Sequence, residues 1–289
     1  MYNNIVQHHP GAMPDRDRHR RPLSAPSEHE VAMPNQTDRP GDGRLALITG
    51  ASSGIGEALA VRLAAHGWRV VAAARRRAAL EALAERASGP GRIIPQVLDV
   101  TDADAFAALV TTVEADHGEI DTVILNAGDY EPVRLDELDA AVFERLIRVN
   151  YLGTVNGLAA CLPAMRRRGR GQVLVMGSLS AYRGLPRAAA YGSTKAAVLS
   201  LAESLRPEAE RAGIALRVVS PGFVKSRLTE RNDFRMPQLM DPADAAAAIH
   251  AGIDGNGFEV FFPRRLGWTL KLLRLLPYRL YFALMRRLA

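Results

Sequence analysis

Seven short apolar runs recur along this chain, and most of the gaps between them read as helix. The runs are 45–48, 69–74, 92–98, 121–125, 172–176, 214–219 and 258–262. Runs this short suit buried strands better than helices. Helices are expected at 57–66, stopped by Gly67, from Thr101 with Asp104 as a capping-box-like partner, at 136–168, at 188–211 and at 241–251. Strands alternating with helices in this way predict a parallel sheet covered on both faces. Ligands of such sheets sit outside the carboxyl ends of the strands. Gly50, Arg75, Asp99, Asn126, Ser178 and Pro221 all fall at those ends.

The first run leads into Thr49-Gly50-Ala51-Ser52-Ser53-Gly54-Ile55-Gly56 and then into a helix. Strand, glycine-rich turn and helix together present backbone N–H groups to a phosphate. Gly50 permits the turn, Gly54 lets the backbone approach a pyrophosphate, and Gly56 lets helix and sheet pack closely. A tight turn with no ligand is the plainer alternative. The second run ends in Ala74-Arg75-Arg76-Arg77. An acid near this point grips a free ribose 2′-hydroxyl, whereas Arg accommodates a 2′-phosphate. Ala74 followed by Arg75 therefore favours NADP over NAD, against the alternative of a solvated basic turn.

The fifth run delivers Ser178 to a strand end. A loop with Gly184 and Pro186 follows, then an Ala-rich helix with Tyr191 and Lys195. Four residues apart, these two share one helix face. An ammonium beside a phenol favours the phenolate, so the Tyr191 pKa is expected below its usual value of about 10. Ser178 could hold a substrate oxygen against that phenol. By itself Tyr-x-x-x-Lys is common, usually a packed ring and a solvated amine.

In this order, the turn at 49–56, Asp99-Val100, Asn126-Ala127-Gly128, Asn150, Ser178, Tyr191-x-x-x-Lys195 and Pro221-Gly222 resemble the short-chain dehydrogenase/reductase family over residues 44–262. The resemblance implies a Rossmann-type, doubly wound sheet of seven parallel strands with helices on both faces, and a nicotinamide cofactor. It also implies roles. Tyr191 is the general acid on a carbonyl oxygen, and the base in reverse. Lys195 lowers its pKa and holds the nicotinamide ribose. Ser178 orients the substrate oxygen, and Asn150 kinks its helix and holds a water that links Lys195 to solvent. Ser52, Ser53, Ile55 and Arg75 surround the phosphates on the turn formed by Gly50, Gly54 and Gly56. Asp99 meets the adenine amino group and Val100 flanks the ring. Asn126, Ala127 and Gly128 line the site, and Pro221 and Val224 back the nicotinamide. Three departures stand out: Leu125 in place of a second Asn, Ser226 in place of Thr, and Asp129-Tyr130 where small residues are usual. The last narrows the substrate entrance.

The expected activity is thus NADP(H)-dependent reduction of an apolar, even lipid-like, aldehyde or ketone, or oxidation of a secondary alcohol. The alternative is a non-catalytic nucleotide-sensing or membrane-associated scaffold protein of the same fold. The resemblance also suggests a homo-oligomer, a dimer or tetramer built on the long helices around Asn150 and Tyr191.

Charge and composition bound the remainder. Residues 258–289 hold seven Lys/Arg and one acid, so the net charge of +6 belongs to the tail. This argues against a nucleic-acid-binding face on the body. The single Cys161 excludes a disulfide framework or a cysteine metal cluster. Residues 1–43 carry six of the 17 Pro and four of the seven His without apolar periodicity, and are expected to be a disordered extension. His8, His9, His19 and His29 are read there as solvated rather than metal-bound. No apolar core for a secretory signal is visible, so a cytoplasmic chain is expected. Residues 44–262 are read as the dinucleotide-binding catalytic domain. Residues 263–289 are read as two basic amphipathic helices hinged at Pro277, able to lie on an anionic membrane, cover the substrate cleft or meet a partner subunit. The segment 221–241, with Arg227, Arg231, Phe234, Arg235 and Met236, is the expected substrate cover.

Overall fold

The structure, a computed structural model, describes residues 43–287. The readings made for residues 1–42 lie outside them. Seven strands form one sheet in the order β3-β2-β1-β4-β5-β6-β7, every neighbouring pair parallel. They are β1 (Leu45–Thr49), β2 (Arg69–Ala74), β3 (Arg92–Val97), β4 (Thr122–Leu125), β5 (Gly171–Met176), β6 (Ile214–Pro221) and β7 (Glu259–Phe262). The helices are α1 (Gly54–Ala65), α2 (Arg77–Glu85), α3 (Ala103–His117), α4 (Ala140–Leu146), α5 (Gly153–Arg168), α6 (Ala189–Arg211), α7 (Pro242–Ile253), α8 (Arg264–Arg274) and α9 (Tyr278–Met285).

Successive side chains of a strand point to opposite faces, and the core divides accordingly. Leu45 and Leu47 join Phe106, Leu158 and Val198, from α3, α5 and α6, on one side. Ala46 and Ile48 join Leu59, Leu80 and Ile249, from α1, α2 and α7, on the other. Burial on both faces is why the strands read as unbroken apolar runs.

Two local expectations need correction. Helix α3 does not begin at Thr101 with Asp104 as capping partner. Its cap is Asp102, whose carboxylate accepts the Ala105 N–H at 2.9 Å. Thr101 is diverted because both its N–H and its hydroxyl donate to Asp99, at 2.9 and 2.8 Å. The predicted helix 136–168 is not regular either. A short 3-10 turn, Leu135–Glu137, precedes α4, and α4 joins α5 through a π-helical turn, Ile147–Leu152.

The tail folds onto the domain. Gly267 of α8 faces Phe261, whose ring lies 2.3 Å from where a Cβ would stand. Only glycine lets α8 come this close to β7.

Candidate active site

Because all strands run in parallel, their carboxyl ends gather at one edge. At the end of β1, Gly50 has φ +67° and Gly54 φ +62°, the left-handed region that glycine adopts without strain. A Cβ on Gly50 would stand 2.7 Å from Ala127 Cα, and one on Gly56 2.6 Å from the Gly50 carbonyl oxygen. At Gly54 the nearest atom would be Ser226 Cβ, at an ordinary 3.5 Å. The turn is thus closed on its inner side and accessible at Gly54. Ser53 stands at the cap of α1 without its hydroxyl bonding to the helix, so the first amides of α1 keep free donors. Asn126 locks the turn to β4. Its Nδ2 donates to the Thr49 carbonyl at 2.9 Å, while Thr49 Oγ1 accepts the N–H groups of Asn126 and Ala127, each at 3.0 Å.

At the tip of β2, Arg75 is exposed and shares with Asp99, Thr101, Arg145 and Arg148 a recess of about 370 Å³. The Thr101 N–H, against burial and helped by the Thr101 hydroxyl and Arg75, holds the Asp99 carboxyl below its ordinary pKa. Arg76, which the sequence did not single out, reaches Ser52, donating to its carbonyl at 2.8 Å and its hydroxyl at 3.1 Å. Arg227 comes to 3.4 Å from the Ser53 hydroxyl. Val100 is buried and packs against Gly153, where a Cβ would stand 2.7 Å from Val100 Cγ2.

Tyr191, Ser178, Lys195 and Asn150 come together beside this turn. The Ser178 hydroxyl accepts from Ser180, from its N–H at 3.2 Å and its hydroxyl at 2.9 Å, and lies close enough to the Tyr191 phenol to favour its ionised form. Asn150 is fully buried in the π-helical turn. Its carboxamide accepts the Asp129 N–H at 2.7 Å and donates to the Asp129 carbonyl at 2.9 Å and Thr194 Oγ1 at 3.0 Å. Gly128 sits between Asn150 and Lys195, where a Cβ would lie 3.3 Å from Asn150 Oδ1 and 3.7 Å from Lys195 Nζ.

The electrostatics differ from the expectation drawn from spacing. Lys195 Nζ lies 5.7 Å from the Tyr191 ring centre and donates to the Met176 carbonyl at 2.7 Å. Burial, opposed by Ser178 and augmented by Tyr130, pushes the Tyr191 phenol up to about 12, and burial alone draws Lys195 down to about 8. The shared helix face is present, but the amine is held by a main-chain oxygen and desolvation outweighs its field. Cys161 is also buried, its thiol pushed up to about 12, which leaves no thiolate for chemistry.

The cover over Tyr191 comes from two directions. Tyr130 packs edge-on against Tyr191 with ring centres 5.1 Å apart, and its hydroxyl donates to Asn232 Oδ1 at 2.6 Å. Arg231 bonds the Tyr130 carbonyl, and Arg187 pairs with Asp233. Arg145 clamps Asp129 and Glu131. Phe223 and Phe234 meet edge-on at 5.8 Å. Pro221 is buried at the end of β6, and Val224 bridges to Met240 at the base of the cover. Met236, whose sulfur accepts from Asn232 Nδ2, belongs to this cover, and Phe234 and Arg235 are both exposed at its rim. Among the described residues, no three His, Cys, Asp or Glu side chains gather as a metal site.

The model of the short chain dehydrogenase family matches residues 44–235. An uncharacterized oxidoreductase of Myxococcus xanthus is 40% identical over 246 residues, 85% of this chain and 97% of its own. A short-chain dehydrogenase of Sphingobium yanoikuyae, solved with NADPH, is 29% identical with a TM-score of 0.71, over 80% of this chain and 92% of its own. A short chain dehydrogenase/reductase of Burkholderia phymatum, solved with NAD, shares the fold at 22% identity and a TM-score of 0.72, over 81% and 94%. With the family model spanning residues 44–235 and a relative 40% identical over most of its length, the chain belongs to the short-chain dehydrogenase family of oxidoreductases.

Proposed function

We propose that this chain is an NADP(H)-dependent carbonyl reductase or alcohol dehydrogenase acting on an apolar aldehyde, ketone or secondary alcohol. The observation that carries the reading is the nearness of Ser178 to the partly buried, proton-bearing Tyr191 phenol, beside an open glycine turn. The turn suits a dinucleotide: its backbone is accessible at Gly54, the first amides of α1 are free, and two guanidinium groups flank it. Gly50, Ser52, Ser53, Gly54, Ile55 and Gly56 would hold the pyrophosphate, and Asp99 and Val100 the adenine. Asn126, Ala127, Gly128, Pro221, Val224, Tyr191 and Lys195 would line the nicotinamide end. When bound, the nicotinamide supplies or accepts a hydride.

The protein's own part is position and proton. Ser178 donates to the substrate oxygen and holds it against the Tyr191 hydroxyl. A phenol near 12 is fully protonated at neutral pH, which suits donation to a carbonyl oxygen in the reductive direction. Lys195, its amine on the Met176 carbonyl, would hold the nicotinamide ribose and help return a proton to the phenol, and Asn150 fixes the Asp129–Tyr130 segment above it. Tyr130, Phe223, Phe234 and Met236 give the cover an aromatic and thioether character, which favours an apolar substrate. A non-catalytic sensor of the same fold would have no use for the Ser178–Tyr191 pair.

The choice of NADP rests on Ala74, Arg75 and Arg76. No acid stands at the tip of β2; Arg75 lines the recess, and Arg76 reaches Ser52 on the glycine turn. In Arg75→Ala, NADPH binding is expected to weaken by about 10–100-fold, the worth of one charge-assisted bond to a phosphate. NADH binding should change little. Fluorescence titration with the two cofactors decides it, and equal losses would contradict the phosphate contact.

The tail reads as a peripheral membrane contact. No helix among the described residues is long and apolar enough to cross a bilayer. Trp268 and Leu272 of α8 and Leu275 at its C-terminal cap stand four and three apart on one face, and all are exposed, at 53%, 63% and 77%. Exposed Arg264, Arg265, Arg274, Arg279, Arg286 and Arg287 surround them, with no acid beyond Glu259. Apolar side chains between arginines suit an anionic lipid surface. The full chain should sediment with phosphatidylserine vesicles and not with phosphatidylcholine vesicles, and Trp268→Ala/Leu272→Ala should release it. Sedimentation unchanged by the pair of substitutions assigns these residues to packing on protein. The localisation proposed is therefore cytoplasmic, at a membrane face. A homo-oligomer is proposed through α5 and α6, where Leu158, Leu162, Pro163, Leu205 and Ile214 line a recess of about 970 Å³.

A further inference from the structure

The loop between Ser178 and Tyr191 is held from outside by the tail. It begins with a 3-10 turn, Leu179–Ala181, and passes Arg187 at φ +61°, a strained conformation for a non-glycine residue. Leu179 and Tyr182 anchor the loop in the core, and the Arg187 carbonyl accepts the Val133 N–H at 3.0 Å. Between these anchors the loop meets α8 and α9.

Two contacts make the attachment. The last carbonyls of a helix have no partner within it. Arg183 Nη1 donates to the carbonyl of Arg274, the last residue of α8, at 2.6 Å, and to the Leu276 carbonyl just beyond the helix at 2.9 Å. The same guanidinium lies 4.2 Å from the Tyr281 ring centre and 4.8 Å from that of Tyr278, and the Tyr281 hydroxyl donates to the Gly184 carbonyl. The second contact runs through Glu259 of β7. One carboxylate oxygen accepts the hydroxyls of Tyr182 and Ser220, and the other pairs with Lys271 of α8 at 2.6 Å. Burial, then Glu259, pushes the Tyr182 hydroxyl far above its ordinary pKa, so it remains a donor.

We propose that the C-terminal helix pair is a brace for the loop that joins Ser178 to Tyr191, and that Arg183 is the positioning residue through which the brace acts. The proposal rests on the reading of Ser178 and Tyr191 as the acid pair. Arg183 touches neither substrate nor cofactor. It acts through the loop, since groups that hold a substrate oxygen must keep their places within about half an ångström. Arginine suits the task because one planar cation bonds several carbonyls while stacking on two rings.

The test compares Arg183→Ala, Arg183→Lys, Tyr281→Phe and the Arg183→Ala/Tyr281→Phe double variant, all in the full chain. Turnover of a medium-chain aldehyde, NADPH binding by fluorescence and amide exchange across residues 179–188 are read in parallel. In Arg183→Ala, kcat should fall about tenfold, as expected for sub-ångström misplacement. NADPH affinity should stay within about twofold, exchange in the loop should quicken, and Arg183→Lys should fall between the two. The double variant should lose no more than the worse single, because both substitutions release one brace. Loop exchange at the wild-type rate in Arg183→Ala overturns the brace. Faster exchange with kcat unchanged, or losses that multiply in the double variant, overturns its positioning role. A wild-type chain that turns over no carbonyl with either nicotinamide would instead sink the proposed reaction, and the exchange arm would still decide the brace.

Discussion

Tyr191→Phe should turn over carbonyl substrates about 10²–10⁴-fold more slowly than the wild-type chain while binding NADPH with little change. That range is the usual worth of a positioned acid in the transition state. The substitution removes one oxygen and keeps the ring, which packs beside Val133, Leu146 and Ala190 and edge-on against Tyr130. The fold and the cofactor turn should therefore be undisturbed. Ser178 retains its bonds from Ser180 and can still hold a substrate oxygen, so KM should move far less than kcat. Steady-state kinetics with a fluorescence titration separate the two effects. Near-normal kcat in this variant would remove Tyr191 from the chemistry.

Lys195→Met should lose about 10³-fold in turnover, by the same measure of a lost proton-transfer partner, and should also lose a feature of the stability profile. Lys195 is 3% exposed, and burial lowers its pKa from 10.5 to about 8. Between those two pH values the unfolded chain binds a proton that the folded chain does not. Stability then rises with pH across that window, and below about pH 8 the burial penalty is fully present. The Tyr191 phenol acts in the opposite sense, but only above its unfolded value of 10. Urea unfolding at pH 7.5 and 9.5 should show a Lys195-dependent gain in the wild-type chain that Lys195→Met lacks. Parallel profiles for the two proteins would mean that the amine is not charged and desolvated in the folded state.

Much of the fold was legible because a parallel sheet buried on both sides leaves apolar runs that stop where the strands stop. β2 was read to the residue. β6 was read too short, since Ser220 is a polar residue inside the sheet, made tolerable by Glu259. The start of α3 was misplaced because Thr101 and Asp102 are both good caps, and only the pull of Asp99 on Thr101 decides between them. At the site, Ser178, Tyr191, Lys195 and Asn150 were legible from local spacing and from the order of motifs. The direction of the Tyr191 shift was not, because four residues of separation say which face Lys195 shares but not that Met176 captures its amine. The sequence marks Tyr130 only as bulky. Its bond to Asn232 and that of Arg183 to Leu276 join residues 102 and 93 positions apart, with no local signal for either.

The wide turn at Ile147–Leu152 has one more consequence. Removing a residue from a regular helix swings everything beyond it by about 100°. A π-helical turn holds one residue more than an α-helix needs over the same rise. The surplus is absorbed where it arises, and Leu158, Cys161 and Met165 still meet the sheet further along. This helix therefore has a single place where chain length can vary without unseating its buried stripe, and Asn150 stands inside it.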